Sequence, residues 1–277
     1  MSEERYASMK YYHRYLLFAV LAGITQYFIA DFMSPDITIF DLINRFTFSG
    51  EFLMGYFILY TSLMLPMILF QISFSMYIYQ HYTFASPYYF SRQGSRFKWY
   101  LKECLRLFYF ALMYTCILLL TALILAVFSG RLTVDKYSMS LVPYFIFTYT
   151  VWNFMMVLLI NILSIKIKPN MAVISVMLSQ LIQIKGFDFL APFLHVETHT
   201  LSPEGGRYLQ MIPFAHNILA FHSSENPILN SKMNKFDIHF PLSRTVILFS
   251  VLLVLIFALG AYIILRHDIL SFNDDIE

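Results

Sequence analysis

Six long apolar stretches alternate with short polar ones along this chain, and a helix needs about 20 apolar residues to cross a bilayer. The first runs from about Tyr15 to Met33 and closes at Asp31, Pro35 and Asp36. The second runs from about Phe52 to Tyr79 without a charged residue. It is longer than a crossing needs, so it must tilt or extend past the membrane, and Pro66 in its middle predicts a kink. The third covers about Leu107 to Ser129, and the fourth about Leu141 to Ile165, followed by a tight turn at Lys166, Lys168, Pro169 and Asn170. The fifth departs from the pattern. Met171 to Ile184 is too short to span alone and continues through Lys185, Gly186, Phe187 and Asp188 to Leu194. Charge and glycine at that depth predict a helix that breaks near the outer leaflet, where irregular backbone must be buried in protein or line a wet cavity. The sixth runs from about Thr245 to Leu265 and ends at Arg266 and His267.

Between the second and third stretches lies HYTFASPYYFSRQGSRFKWYLKECLR, residues 81–106. It holds Arg92, Arg96, Lys98, Lys102 and Arg106, with no acid before Glu103, and Tyr88, Tyr89, Phe90, Phe97, Trp99 and Tyr100 are woven among them. Short loops rich in Lys and Arg stay on the cytoplasmic side, which sets the topology of the rest. Ser86–Pro87 reads as a helix start, Gly94 interrupts it, and a basic helix from Ser95 leads into the third span. Arg92 and Arg96 stand one helical turn apart and could share a face. Two readings stay open here. One is an aromatic and arginine peg entering a groove on a cytosolic partner. The other is a basic juxtamembrane segment snorkelling to anionic lipid.

With both termini cytoplasmic, eleven of the nineteen basic residues fall inside. Five of the other eight sit in the long outer connection from Lys185 to Arg244, and long loops weigh little in the charge rule. Residues 1–14 form either a short surface helix with tyrosines at headgroup depth or a frayed terminus. Glu3 and Glu4, and the lack of a small-residue cleavage site after the first apolar run, argue against a signal peptide. The outer connection, roughly 195–243, is punctuated by Pro203, Gly205, Gly206, Pro213, Pro227 and Pro241. It predicts one or two short amphipathic helices at the outer surface rather than a second soluble domain. The expectation is an all-α polytopic membrane protein with six transmembrane helices, residues 1–277 forming one transmembrane domain.

Composition agrees. Charged residues make up only 13% of the 277 positions and hydrophobic ones 58%, against about 25% charged in soluble domains. The net charge of +2 gives no reason to expect nucleic acid. Cys104 and Cys116 both fall at or inside one span, which implies no disulfide framework.

Searches for chemistry mostly exclude. GEFLMGYF, residues 50–57, lacks the lysine and hydroxyl of a nucleotide-binding loop. No HExxH or GxSxG occurs. The polar residues inside the spans are Gln26, Gln71, Asn153, Asn161, Gln180 and Gln183. None is ionisable, which argues against a proton-coupled carrier or ion pump. Asn153 and Asn161 are expected to hydrogen-bond neighbouring helices. His195, Glu197 and His199 alternate, so an extended strand would place all three on one face with zinc-type ligands; a polar loop with scattered histidines reads equally from the same residues. No catalytic residue is expected.

A basic helical segment FSRQGSRFKWYLKE before the third span, a short fifth span and NILAFH before the sixth together make the layout resemble the ATP-binding-cassette permease of type 2, the transmembrane half of many bacterial exporters. The resemblance implies a plasma-membrane export permease for an amphipathic cargo such as a peptide, an antimicrobial peptide or a lipid-like molecule. It would pair with a second copy or a related permease, and with a dimer of cytosolic ATPases that hold the ATP and Mg²⁺. It implies that Tyr88, Tyr89, Phe90, Arg92 and Arg96 contact the ATPase. Ile212 to Phe221 would lie in an outer re-entrant part. The alternative is a non-transporting scaffold or sensor that docks a cytosolic protein through the same loop.

Overall fold

The computed structural model describes residues 15–28, 37–46, 57–89, 95–195 and 200–266. It is mostly helical. Among the described residues, three helices are long and apolar enough to cross a membrane: Arg96–Phe128, Lys136–Ser164 and Leu242–Arg266.

Chain order runs through α1 (Tyr15–Phe28), the two-residue strand β1 (Ile37–Thr38) and α2 (Ile39–Phe46). Next come α3 (Phe57–Phe74), α4 (Tyr77–Tyr89) and α5 (Arg96–Phe128). The Ser95 hydroxyl caps α5 by accepting from the Lys98 N–H. The helix ends at Ser129, and Gly130 takes φ 69°, the left-handed turn that glycine adopts without a steric penalty. At 1.5 Å per residue α5 is about 50 Å long, some 20 Å more than a bilayer core. Its basic first turns therefore project beyond the apolar part.

After β2 (Leu132–Thr133), Asp135 caps the single turn α6 (Lys136–Met139), which leads into α7 (Leu141–Ser164). α7 is buried on nearly every face and packs against α3, α4, α5, α8 and α11 (Leu242–Arg266). An all-round apolar helix of this kind belongs in the centre of an assembly. α11 is the opposite case. It buries only a few residues and exposes Ile247, Val251, Val254, Leu255, Leu259 and Tyr262. α8 (Pro169–Lys185) opens on a proline at its first turn and passes at Gly186 into a 3₁₀ segment through Phe193. The predicted break in the fifth stretch is thus a change of helix type. β3 (Leu194–His195) and β4 (Thr200–Leu201) pair antiparallel, and α9 (Pro203–Met211) begins on a Ser202 cap. Two 3₁₀ turns follow, Pro213–Asn217 and Leu219–Phe221, then α10 (Pro227–Met233).

Contacts sort the connections onto two ends. β1 pairs with β2, and Lys232 of α10 reaches Asp135 at 2.8 Å, which joins three connecting segments. At the other end α4 meets the start of α5, and Tyr100 donates to the Phe257 carbonyl of α11 at 3.1 Å.

The second apolar stretch does not run unbroken. Ser75 and Met76 form a turn between α3 and α4, and Asn161 of α7 holds the broken ends. Its Oδ1 accepts from the N–H groups of Ile78 (2.8 Å) and Tyr79 (3.1 Å), while Nδ2 donates to the carbonyls of Phe74 (2.9 Å) and Val157 (2.8 Å). One side chain thereby satisfies backbone groups at the end of one helix and the start of the next. Asn153 differs from expectation. Its Nδ2 donates to the Tyr149 carbonyl of its own helix, and Oδ1 has no partner among the described residues.

Candidate functional site: the basic end of α4 and α5

The expected contact residues divide. Tyr88 and Tyr89 are the last two residues of α4, and Arg96 is the first of α5, half-buried. Phe90 and Arg92 lie outside the described residues. α4 and α5 are therefore the two arms that flank residues 90–94, and the structure shows what fixes them to each other.

That fixing point is Glu103, the lone acid of the basic segment. Its buried carboxylate accepts from His81 Nδ1 of α4 at 3.0 Å and from Arg106 Nη1 at 2.9 Å. The carboxylate only accepts, so Nδ1 of His81 carries its proton. Tyr77 packs at a tilt against His81 with ring centroids 4.4 Å apart, and Tyr82 packs against Trp99 at 5.8 Å. A hydrogen bond from His81 to Glu103 and the Tyr82–Trp99 aromatic pair thus tie the two arms together. Glu103 was visible in the sequence as the one acid among basic residues, but its partner on α4 is 22 positions away and no local pattern names it.

Along its exposed face α5 presents Lys98, Lys102 and Arg106 in one row and Leu101, Leu105 and Tyr109 in the next. All six are exposed, and they line a groove of about 410 Å³. Spacing of four residues stacks each row along the helix. Lys98 and Lys102 have no acidic partner among the described residues.

The far end of the molecule holds the other polar cluster. His216 and His222 are buried in the 3₁₀ assembly and both reach the Thr245 hydroxyl of α11, at 2.9 and 2.7 Å. Tyr144 of α7 lies 3.3 Å from His222. Burial depresses both imidazoles, His222 down to about 3. The sequence reading singled out His195, Glu197 and His199 instead. His195 is exposed in β3, while Glu197 and His199 lie outside the described residues. Among the described residues no group of three or more His, Cys, Asp or Glu is placed to hold a metal.

Gln183 of α8 ties this assembly to the bundle by accepting from the Phe214 N–H at 3.0 Å. Deeper in, Gln71 and Gln180 pair across α3 and α8.

The fold and these contacts define a mostly helical protein in which three of the described helices are long and apolar enough to cross a membrane. No protein family, no curated protein and no solved structure matches the chain.

Proposed function

We propose that this chain is the transmembrane permease subunit of an ATP-binding-cassette exporter in the plasma membrane. The six spans would be α1, α3 with α4, α5, α7, α8 with its 3₁₀ extension, and α11, with both termini cytoplasmic. The chain itself would hydrolyse nothing. A cytosolic ATPase dimer would bind ATP and Mg²⁺, and a second copy or a related permease would complete the pathway. The cargo would be amphipathic, a peptide or a lipid-like molecule, since methionine and aromatic linings adapt to varied apolar surfaces.

The observation that carries this reading is the α4–α5 pair. Two helices flank residues 90–94, are tied together by His81 and Glu103, whose carboxylate Arg106 holds from the same helix, and put Tyr88, Tyr89 and Arg96 at the ends of the arms. A braced lever of this kind suits the transfer of a push from a cytosolic motor to the spans, a two-state equilibrium biased by nucleotide. Phe90 and Arg92 complete the proposed contact. The scaffold or sensor alternative uses the same loop with a different cytosolic protein.

The test is a pull-down of ATPases encoded beside this chain, coexpressed with the wild type and with Arg96→Glu. The permease reading predicts capture by the wild type and loss with the variant. Capture of another cytosolic protein and of no ATPase favours the scaffold.

A further inference from the structure

The two buried histidines hold one proton fewer than their contacts require. Nδ1 of His222 lies 2.9 Å from the Ile218 carbonyl, and Nε2 of His216 lies 3.1 Å from the Gln210 carbonyl. A carbonyl oxygen only accepts, so each of these nitrogens carries its ring's proton. The other two nitrogens, His222 Nε2 and His216 Nδ1, are then acceptors. Both face the same Thr245 hydroxyl. That hydroxyl has one proton to give. Four contacts share three protons. The Tyr144 hydroxyl can donate to His222 as well, but it adds a contact along with its proton, so the deficit stays at one.

A fourth proton could enter only by making one ring an imidazolium, and the packing rejects that charge. Both rings lie against Phe240, with centroids 4.7 Å from His216 and 4.4 Å from His222, and Phe249 of α11 packs on His216 at 6.0 Å. The titratable and charged groups that face the pair are Tyr144 from α7, Arg244 from α11 and each imidazole to the other. Arg244 is itself a cation. No carboxylate pairs with either ring among the described residues. Burying a charge without a counter-charge costs more than one completed hydrogen bond returns.

We propose that His216 and His222 form a proton site on the outer face that works as a latch. It is closed onto Thr245 of α11 and Tyr144 of α7 while both rings are neutral, and it is released when a ring takes a proton from the outer solvent. The released element is the pair of 3₁₀ turns between α9 and α10, so acid frees that assembly from the fourth and sixth apolar stretches. The proposal rests on this end facing outward and not on any ATPase partner.

The test follows the labelling rate of Ala220→Cys, at a buried position in the second of the two turns, by a membrane-impermeant maleimide in the full chain in lipid nanodiscs. Ser231→Cys, at an exposed position of α10, supplies the reagent's own pH dependence, and the unsubstituted chain supplies the background from Cys104 and Cys116. Between pH of about 7.5 and 5.5 the normalised rate rises about tenfold if one ring regains an ordinary pKa near 6.5 on opening, and about a hundredfold if both do. His216→Gln with His222→Gln flattens the profile. Should that double variant fail to purify as a single species, Thr245→Val labels at the higher pH as fast as the unsubstituted latch does in acid, while Thr245→Ser keeps the original profile. A pH-independent normalised rate overturns the proposal, and so does an unchanged acid rise in the double histidine variant.

Discussion

Gln71 and Gln180 clasp each other in the interior of the helical assembly, each amide donating to the other's oxygen at 3.1 and 2.8 Å. They sit on α3 and α8, 109 positions apart, and both are fully buried. Each single change to leucine strands a buried amide. We expect Gln71→Leu or Gln180→Leu to lower stability in mild detergent by about 1–3 kcal/mol. The double variant should lose less than the sum, with a coupling of roughly 0.5–2 kcal/mol in line with side-chain hydrogen bonds between membrane helices. Thermal unfolding of the four proteins measures the cycle, and additive losses contradict the pairing.

Asn161 makes four hydrogen bonds that serve two helix ends. Asn161→Leu orphans the N–H groups of Ile78 and Tyr79 and the Phe74 carbonyl together. The expected loss is about 2–5 kcal/mol, from several buried groups at about 1–3 kcal/mol each, partly relaxed. Hydrogen exchange at the first turn of α4 reports it directly. Faster exchange confined to Ile78 and Tyr79 supports the role, and unchanged exchange there removes it.

Gly260 lets α11 approach α5 and α7. A Cβ built there collides with the Tyr100 hydroxyl and lies 2.6 Å from Ile162 Cδ1. Gly260→Ala should therefore destabilise by about 1–3 kcal/mol, the range for overpacked cores. Adding Tyr100→Phe removes the hydroxyl and should recover part of that loss. A Gly260→Ala protein as stable as the parent would contradict this crossing of the three helices.

Much of this architecture can be read in the sequence where the signal is local. Lys166, Lys168 and Pro169 mark the turn between α7 and α8, Ser95 starts the basic helix, and Arg266 closes α11, all as the structure has them. Gly186 marks the change from α to 3₁₀ geometry in the fifth stretch. The break at Ser75 and Met76 was not legible, because nothing in that stretch forces it. Its cause is an asparagine from α7 more than 80 positions away. The same holds for the candidate sites. Basic and aromatic residues drew attention to the segment after His81, yet the tie from His81 to Glu103 depends on how two helices meet. His216 and His222 read as loop histidines until Thr245, on another helix, brings them to one hydroxyl.

Arg96 is the charged member of the proposed ATPase contact among the described residues. Charge reversal at a complementary interface costs several kcal/mol through like-charge repulsion and lost pairing. Arg96→Glu should weaken capture of the ATPase about a hundredfold, since each 1.4 kcal/mol is tenfold in affinity. Lys102→Glu lies on the groove side of α5, about 1.7 turns further along, and should weaken it less. Equal losses for the two variants would point to bulk charge rather than to a defined contact.

The most direct measurement is native mass spectrometry of the complex purified in mild detergent, with the ATPase genes encoded beside this chain coexpressed. The exporter account predicts two permease subunits with two ATPase subunits, the second permease being this chain or a related one. A chain that never carries an ATPase, under any gentle condition, contradicts it and leaves a membrane scaffold or sensor in its place.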